Sequence, residues 1–330
     1  MQAVEKPQPH AHLLEVKALK KYFPTGSSGL FSKEKHEVKA VDDISFSVKK
    51  GETLGIVGES GCGKSTMGRA ILQLQPPTGG EVWFEGQDIS KLSKNQLREL
   101  RKDIQIIFQD PFGSLNQRMT VGSMLSEIVR VHKIVPKENE LKYVQKLLQD
   151  VGLNPEHYWR YPHEFSGGQR QRISIARALA VRPKLIICDE AVSALDVSVQ
   201  AQVLNLLKKL KNKYQLTYIF ISHDLSVVKH ISDRVGVMYL GKLVELADKK
   251  EIYTNPKHPY TKALFSAIPD VSTEKKKERM VLKGDVPSPL NIPSGCRFHT
   301  RCPVATEQCK VEVPLFRKTE NDHNVACHFV

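Results

Sequence analysis

The chemistry in this chain is concentrated in nine consecutive residues, Gly58-Glu59-Ser60-Gly61-Cys62-Gly63-Lys64-Ser65-Thr66. They fit the phosphate-loop spacing Gly-x-x-x-x-Gly-Lys-Ser/Thr. Glycines at these positions let the backbone curl until successive N–H groups point inward at phosphate oxygens. A helix behind the loop adds the positive end of its dipole. Lys64 would reach the β- and γ-phosphates of a nucleoside triphosphate, and Ser65 would hold Mg²⁺. The ordinary alternative is a Gly-rich turn before a helix. It is weakened by the apolar run 54–57 ahead of the motif and by the helical spacing of Met67, Ala70, Ile71 and Leu74 behind it.

A second apolar run, Leu185-Ile186-Ile187-Cys188, ends in Asp189 and Glu190. Asp189 suits Mg²⁺ through water, and Glu190 suits a general base facing a γ-phosphate. Two solvated turn acids would be the alternative, but a phosphate loop in the same chain argues against it. Gln109 and His223 each stand just past a strand-like run, 104–108 and 216–221. Ligands bind beyond the carboxyl ends of strands in open α/β sheets, which puts both near the nucleotide. On position alone, a loop glutamine and a structural histidine are the ordinary readings. Ser166-Gly167-Gly168-Gln169 leads into a helical run, 169–180, with Ser166 as N-cap. It is a second anion-seeking helix start. One nucleotide does not need both starts. A head-to-tail pair of chains, each closing the other's nucleotide, would use both.

Six cysteines are present. Cys62 lies in the loop and Cys188 in an apolar strand, while Cys296, Cys302, Cys309 and Cys327 crowd together late in the sequence. Residues 1–10 are polar and lack a signal-peptide core, so a cytosolic chain is expected, and there such a cluster favours metal over disulfides. Zinc knuckles usually carry a close Cys pair, which this segment lacks. Four thiolates at wider spacing suit an iron–sulfur cluster. Reduced thiols packing a small subdomain are a third reading. His299, His323 and His328 could substitute as ligands.

These groups need elements to hold them. The pattern predicts strands at 14–19, 38–41, 44–48, 54–57, 81–84, 104–108, 185–190 and 216–221, and a hairpin over 235–244. Helical spacing covers 92–100, 121–148, 169–180 and 197–211, with short helices at 249–253 and 260–268. Segment 25–39 is Gly- and Ser-rich and reads as a loop; 270–278 is a charged linker. The entry is β-rich with antiparallel character, and 120–150 resembles a helical insertion in an α/β domain. A chain of 330 residues can bury a large core. No run of about 18 apolar residues occurs, so no transmembrane helix is expected. The net charge of +13 permits an anionic partner, but apart from Lys275-Lys276-Lys277 the basic residues are scattered. They show no aromatic-interleaved stripe of the kind that grips single strands.

Taken together, these motifs resemble the ATPase subunits of ABC transporters in type and order, over residues 12–250. The resemblance implies an α/β P-loop ABC ATPase with an antiparallel β subdomain and a helical subdomain. It makes 58–66 the phosphate loop, Gln109 the Q-loop glutamine, 165–169 the signature with Phe165 where many members have Leu, 185–190 the Mg²⁺ strand and catalytic acid, 193–196 the D-loop and His223 the switch histidine. It implies an aromatic under the adenine, Phe23 or else Tyr22. The later segment is similar to the C-terminal extension of oligopeptide and dipeptide importer ATPases: Gly284-Asp285-Val286-Pro287, Pro293 to Pro303 with its two cysteines, Cys309 and Cys327-His328. The long segment 25–39 and the run from Asn255 to Thr261 also look like that subfamily. The expected division is an ATPase domain over 1–255, with its helical subdomain about 110–165, and an extension over 256–330. The chain is placed with the second ATPase subunit of such importers. That implies ATP and Mg²⁺, a head-to-tail heterodimer with a homologous ATPase, two permease subunits contacted through 109–160, an extracytoplasmic peptide-binding protein acting indirectly, and a peripheral position on the cytoplasmic face of the membrane. It also implies a [4Fe-4S] cluster on the four cysteines, with zinc the alternative. Nickel or another solute is the alternative cargo. A soluble ABC ATPase acting on nucleic acid or ribosomes is the rival reading, but such proteins usually carry two modules or a coiled-coil insertion, and no nucleic-acid partner is expected.

Overall fold

The computed structural model describes residues 12–25, 36–267, 280, 282 and 284–330. Most of the expected loop at 25–39, the charged linker 270–278 and residues 1–10 fall outside these. In chain order the strands are β1 (Leu14–Thr25), β2 (His36–Val48), β3 (Thr53–Val57), β4 (Gly79–Phe84), β5 (Gln87–Asp88), β6 (Ile104–Ile107), β7 (Leu185–Asp189), β8 (Thr217–Ile221), β9 (Arg234–Tyr239), β10 (Lys242–Asp248), β11 (Arg317–Lys318) and β12 (Asn324–Val325). The helices are α1 (Lys64–Ile71), α2 (Lys94–Leu100), α3 (Pro111–Ser114), α4 (Val121–Val131), α5 (Glu140–Asp150), α6 (Gly167–Leu179), α7 (Val197–Tyr214), α8 (Leu225–Ile231), α9 (Lys249–Thr254), α10 (Pro259–Ser266) and α11 (Glu307–Val311). They fall into two compact units, one of residues 1–52, 57–93 and 233–330, the other of 53–56 and 94–232.

The second unit is built on β3, β8, β7 and β6, adjacent in that order and all parallel. Parallel neighbours need a crossover between them, and helices such as α7 supply it. β3, β7 and β8 are buried at every position, which explains their near-continuous apolar runs, with polar residues only at the ends, Thr53, Asp189 and Thr217. Their carboxyl ends finish level: Ile56 and Asp189 both lie opposite Ile221, and Ile107 lies opposite Cys188. α8 presses close on β3. A methyl group on Gly55 would collide with Val228 and with the hydroxyl of Ser232.

The expected helical insertion is two helices, α4 and α5. The break comes where Lys133 takes a positive φ of 51° and Pro136 interrupts helical bonding. Gly122 lets α4 lie against the Tyr158 ring, which a Cβ there would strike. The Tyr158 hydroxyl lies 3.0 Å from Ser126 Oγ, and Arg130 Nη2 pairs with Glu140 Oε1 at 2.7 Å between the two helices.

The first unit holds one antiparallel sheet, ordered β2-β1-β4-β5, and a run of antiparallel neighbours, β11-β12-β10-β9. The two strands expected at 38–41 and 44–48 are one strand. The apolar alternation breaks at Asp42-Asp43 because Asp43 takes a positive φ of 61° and the β1–β2 register slips nearby. β1 also continues through Tyr22, Phe23 and Pro24. Its pairing with β4 reaches only Lys20, so Pro24 sits where one side of the strand has no ladder to break.

The later part of the chain adds to this unit. β12 pairs with β10, placing Val325 opposite Glu245. Glu245 has no exposure, and its carboxylate accepts from the Lys257 and His258 backbone N–H groups at 2.7 and 3.0 Å and faces His323 Nε2 at 2.6 Å. Phe298 is 1% exposed and meets the rings of Tyr239, Tyr260 and His258.

Candidate nucleotide site

In the first unit the chain leaves β3 and turns through Gly58, Gly61 and Gly63, with φ of 155°, 77° and 103°. Two of these glycines are required by crowding as well as by backbone angle. A Cβ on Gly58 would strike the Met238 carbonyl, and one on Gly63 the Ala40 carbonyl. Gly63 is the N-cap of α1 in a left-handed conformation and supplies no side-chain cap, and the first turn has no acid. So neither a side-chain cap nor a first-turn acid supplies negative charge at that helix start. Lys64 is 4% exposed. Its ammonium donates to the Gly58 and Glu59 carbonyls at 2.8 and 3.0 Å and lies 3.8 Å from Cys62 Sγ. Burial pushes the Cys62 thiol pKa up despite the nearby Lys64 charge, so the thiol stays protonated and acts as packing. Ser60 and Gly61 are exposed, and Ser65 and Thr66 are half-buried at the start of α1.

Glu59 is held from two sides. Arg301 grips its carboxylate, with Nη1 at 2.9 and 3.2 Å from the two oxygens and Nη2 at 3.2 Å from one of them. The Glu59 N–H donates to the Tyr260 hydroxyl oxygen at 3.0 Å. Asp42 accepts from both the Tyr22 hydroxyl and Arg297, and Arg297 also donates to the Leu240 carbonyl. Burial and the carboxylate beside it raise the Tyr22 hydroxyl pKa. Lys39 lies over the Tyr22 ring and Lys21 over Phe23. With its hydroxyl engaged, Tyr22 is tied to the protein at its polar end, and Phe23 is the ring without such a tether. Arg301, Arg297, Asp42 and Tyr260 were not singled out in the sequence. No local spacing announces them, because their partners lie as far as 255 residues away.

In the second unit, Gln109, Asp189, Glu190 and His223 follow β6, the end of β7 and β8, so parallel pairing gathers them at one sheet edge. Asp189 is 2% exposed, whereas Gln109 and His223 are exposed. Glu190 takes a left-handed φ of 50° just past β7. Its N–H donates to the Ile221 carbonyl at 3.0 Å, and its Oε1 lies 3.4 Å from His223 Nδ1. The Ser193 hydroxyl donates to the Glu190 carbonyl at 2.9 Å. Held by the neighbouring strand, this left-handed backbone is local strain of the kind that accumulates at functional positions. The expected cap at Ser166 is present as a reciprocal box: Ser166 Oγ accepts from Gln169 N–H at 3.3 Å, and Gln169 Oε1 accepts from Ser166 N–H at 3.0 Å. Ser166 and Gly167 are exposed, and Gly168 makes room for Val199 of α7. Phe165 is 3% exposed with its ring edge-on to His157, so this position is filled as a core residue.

Residues 41–193 match the ABC transporter family, and residues 244–309 match the C-terminal region of oligopeptide/dipeptide transporters. The oligopeptide transport ATP-binding protein AppF of Bacillus subtilis (strain 168) is 59% identical over 96% of this chain and 97% of its own length. The chain belongs to the ATP-binding subunits of this ABC transporter family. A putative peptide import ATP-binding protein of Brucella ovis is 49% identical over 96% of this chain and 97% of its own. Among solved structures, the ATP-binding cassette MJ0796, described as a dimer in a post-hydrolysis state bound to ADP and Pi, superposes with a TM-score of 0.63 at 27% identity, covering 72% of this chain and 98% of that one. The structure of cbiO1 from Clostridium perfringens, described as part of the ABC transporter complex cbiONQ, gives 0.64 at 28% identity, covering 74% and 92%. This ABC subunit is an α/β P-loop ATPase. Among its described residues no helix is long and apolar enough to cross a membrane.

The four late cysteines lie in one module of the first unit. Burial raises the thiol pKa of Cys296 to about 11, and the thiols of Cys302, Cys309 and Cys327 add to that rise. Burial also raises Cys302 and Cys327. Yet among the described residues no three Cys, His, Asp or Glu side chains are grouped closely enough to hold a metal ion. The donor chemistry suits a cluster or zinc, but the side chains as placed do not close a ligand set.

Proposed function

We propose that this ATPase energises import of oligopeptides or dipeptides across the cytoplasmic membrane, docked at its cytoplasmic face as a peripheral subunit on two permease subunits, with the extracytoplasmic peptide-binding protein acting indirectly. The observation that carries the chemistry is the loop in which Lys64 is buried against the Gly58 and Glu59 carbonyls ahead of an uncapped helix start. The peptide assignment is supported by the match over 244–309 and by relatives named for peptide transport.

Phosphoryl transfer to water needs positioning and charge neutralisation more than covalent help. The loop amides and Lys64 bind the phosphates, and Phe23, or else Tyr22, takes the adenine. Mg²⁺, when bound, neutralises phosphate charge; Ser65, Gln109 and Asp189 are the residues proposed to hold it. Glu190 takes the proton of the attacking water at its carboxylate. His223, next to that carboxylate, bonds the γ-phosphate and registers its loss. Ser166, Gly167, Gly168 and Gln169 face the nucleotide of a head-to-tail partner, a homologous but different ATPase. The proposed layout is an ATPase domain over 1–255, its helical subdomain about 110–165, and an extension over 256–330. For that extension a [4Fe-4S] cluster on Cys296, Cys302, Cys309 and Cys327, with zinc as the alternative, is supported by the donor set alone and enters no step above.

Purification of the native membrane complex without oxygen tests the reading. A peptide-type permease pair and a second ATPase should co-purify, and ATP-dependent peptide uptake should follow reconstitution. A soluble homodimer, or ribosomal and nucleic-acid partners without a permease, would overturn the transport role. Iron and sulfide assays of the same sample decide the cluster: four of each per chain support it, and none removes it.

A further inference from the structure

The phosphate loop is held by side chains from far along the chain. Glu59 lies inside it, and all three of its polar groups are engaged. Its carbonyl takes the Lys64 ammonium, its N–H donates to the Tyr260 hydroxyl, and its carboxylate takes two nitrogens of Arg301. Arg301 lies between the module's cysteines, its side chain is 9% exposed, and its guanidinium also lies over the Tyr239 ring. A two-pronged guanidinium–carboxylate contact fixes orientation as well as distance. With the guanidinium buried and the carboxylate half-buried, such a contact is stronger than at a fully wet surface.

We infer that Arg301 is a positioning residue for ATP binding: through the Glu59 carboxylate it fixes the loop carbonyl that aims Lys64 at the phosphates. This rests on the reading of residues 58–66 as the nucleotide loop. Without Arg301, the Glu59 carboxylate is left half-buried and uncompensated. It would turn toward Lys64, five residues away, and compete with phosphate for that ammonium. The contact thus keeps one negative charge of the loop out of the anion site. A merely structural clamp, fastening the cysteine module to the rest of its unit, would instead change stability and leave nucleotide affinity alone.

The test uses the full chain in its purified complex, with equilibrium binding of a fluorescent ATP analogue, ATPase kinetics and thermal unfolding measured on each variant. Arg301→Gln should weaken binding and raise KM for ATP on the order of tenfold, the loss of one charge-assisted contact, with a smaller effect on kcat. Arg301→Lys should recover part of the affinity. Arg317→Gln is the control within the same module, because that guanidinium donates to the Val330 carbonyl; its affinity should match the unaltered chain. Unchanged affinity in Arg301→Gln, with Lys64→Ala losing binding, would overturn the inference and leave the nucleotide loop standing. Equal losses of affinity in Arg301→Gln and Arg317→Gln, tracking equal losses of thermal stability, would also overturn it. Retained ATP binding in Lys64→Ala would overturn the loop assignment, and this inference with it.

Discussion

At the scale of single residues, the sharpest expectations fall on Glu190 and Lys64. Glu190→Gln keeps shape and removes the base, so ATP binding should persist while turnover falls at least about a hundredfold; near-normal hydrolysis in single-turnover assays would remove Glu190 from the role proposed for it. What could be read from sequence here was what is local. The loop's glycines and lysine are contiguous, and Ser166 and Gln169 are three apart, the spacing of a capping box. Tyr260 and Arg301 fall in runs, 255–261 and 293–303, legible only as a family likeness, and Asp42 in a break between two apolar runs; none of these neighbourhoods discloses the residue's partner. Their roles come from partners that only the folded chain brings near. The left-handed backbone of Glu190 was equally hidden, since two acids at a strand end do not disclose the angle between them.

At the scale of elements, three packing features make distinct predictions. A methyl group at Gly122 would meet the Tyr158 ring, so Gly122→Ala should destabilise the second unit by about 1–3 kcal/mol through overpacking, seen as a lower urea midpoint with little change in slope. His323→Ala strips a hydrogen-bond partner from the fully buried Glu245 carboxylate, and leaving a buried acceptor short of a partner should cost about 1–3 kcal/mol; a change under about 0.5 kcal/mol would show that water replaces the ring. Burial lowers the His258 pKa from 6.5 to about 4. The unfolded chain therefore binds more protons between those values, and stability, complete above about pH 6.5, declines as pH falls toward 4. The loss amounts to about 3 kcal/mol at the acid end. His258→Gln, which can still accept the Tyr260 N–H bond made by Nδ1, should flatten that part of a stability-versus-pH curve. The strands of the second unit were legible because buried parallel strands are near-continuously apolar. β2 was read as two strands because a turn-like backbone at Asp43 interrupts its alternation without ending its pairing.

At the scale of the whole molecule, sequence order and spatial order part company. The fold class was legible because its motifs come in family order, and the module at 284–330 because its cysteines and prolines are distinctive in composition. What the sequence left unread is that this module shares a unit with the phosphate loop and touches it through Arg301. That contact has a consequence for how the protein is made. A ribosome builds from the amino end, and Glu59 precedes its arginine by 242 residues. Until that stretch has emerged and folded, the nascent loop carries an unmatched carboxylate beside its lysine, so the growing chain should be a poor ligand for cellular ATP. Competence to bind nucleotide would then arrive late in synthesis, as a mark that the cysteine module has folded.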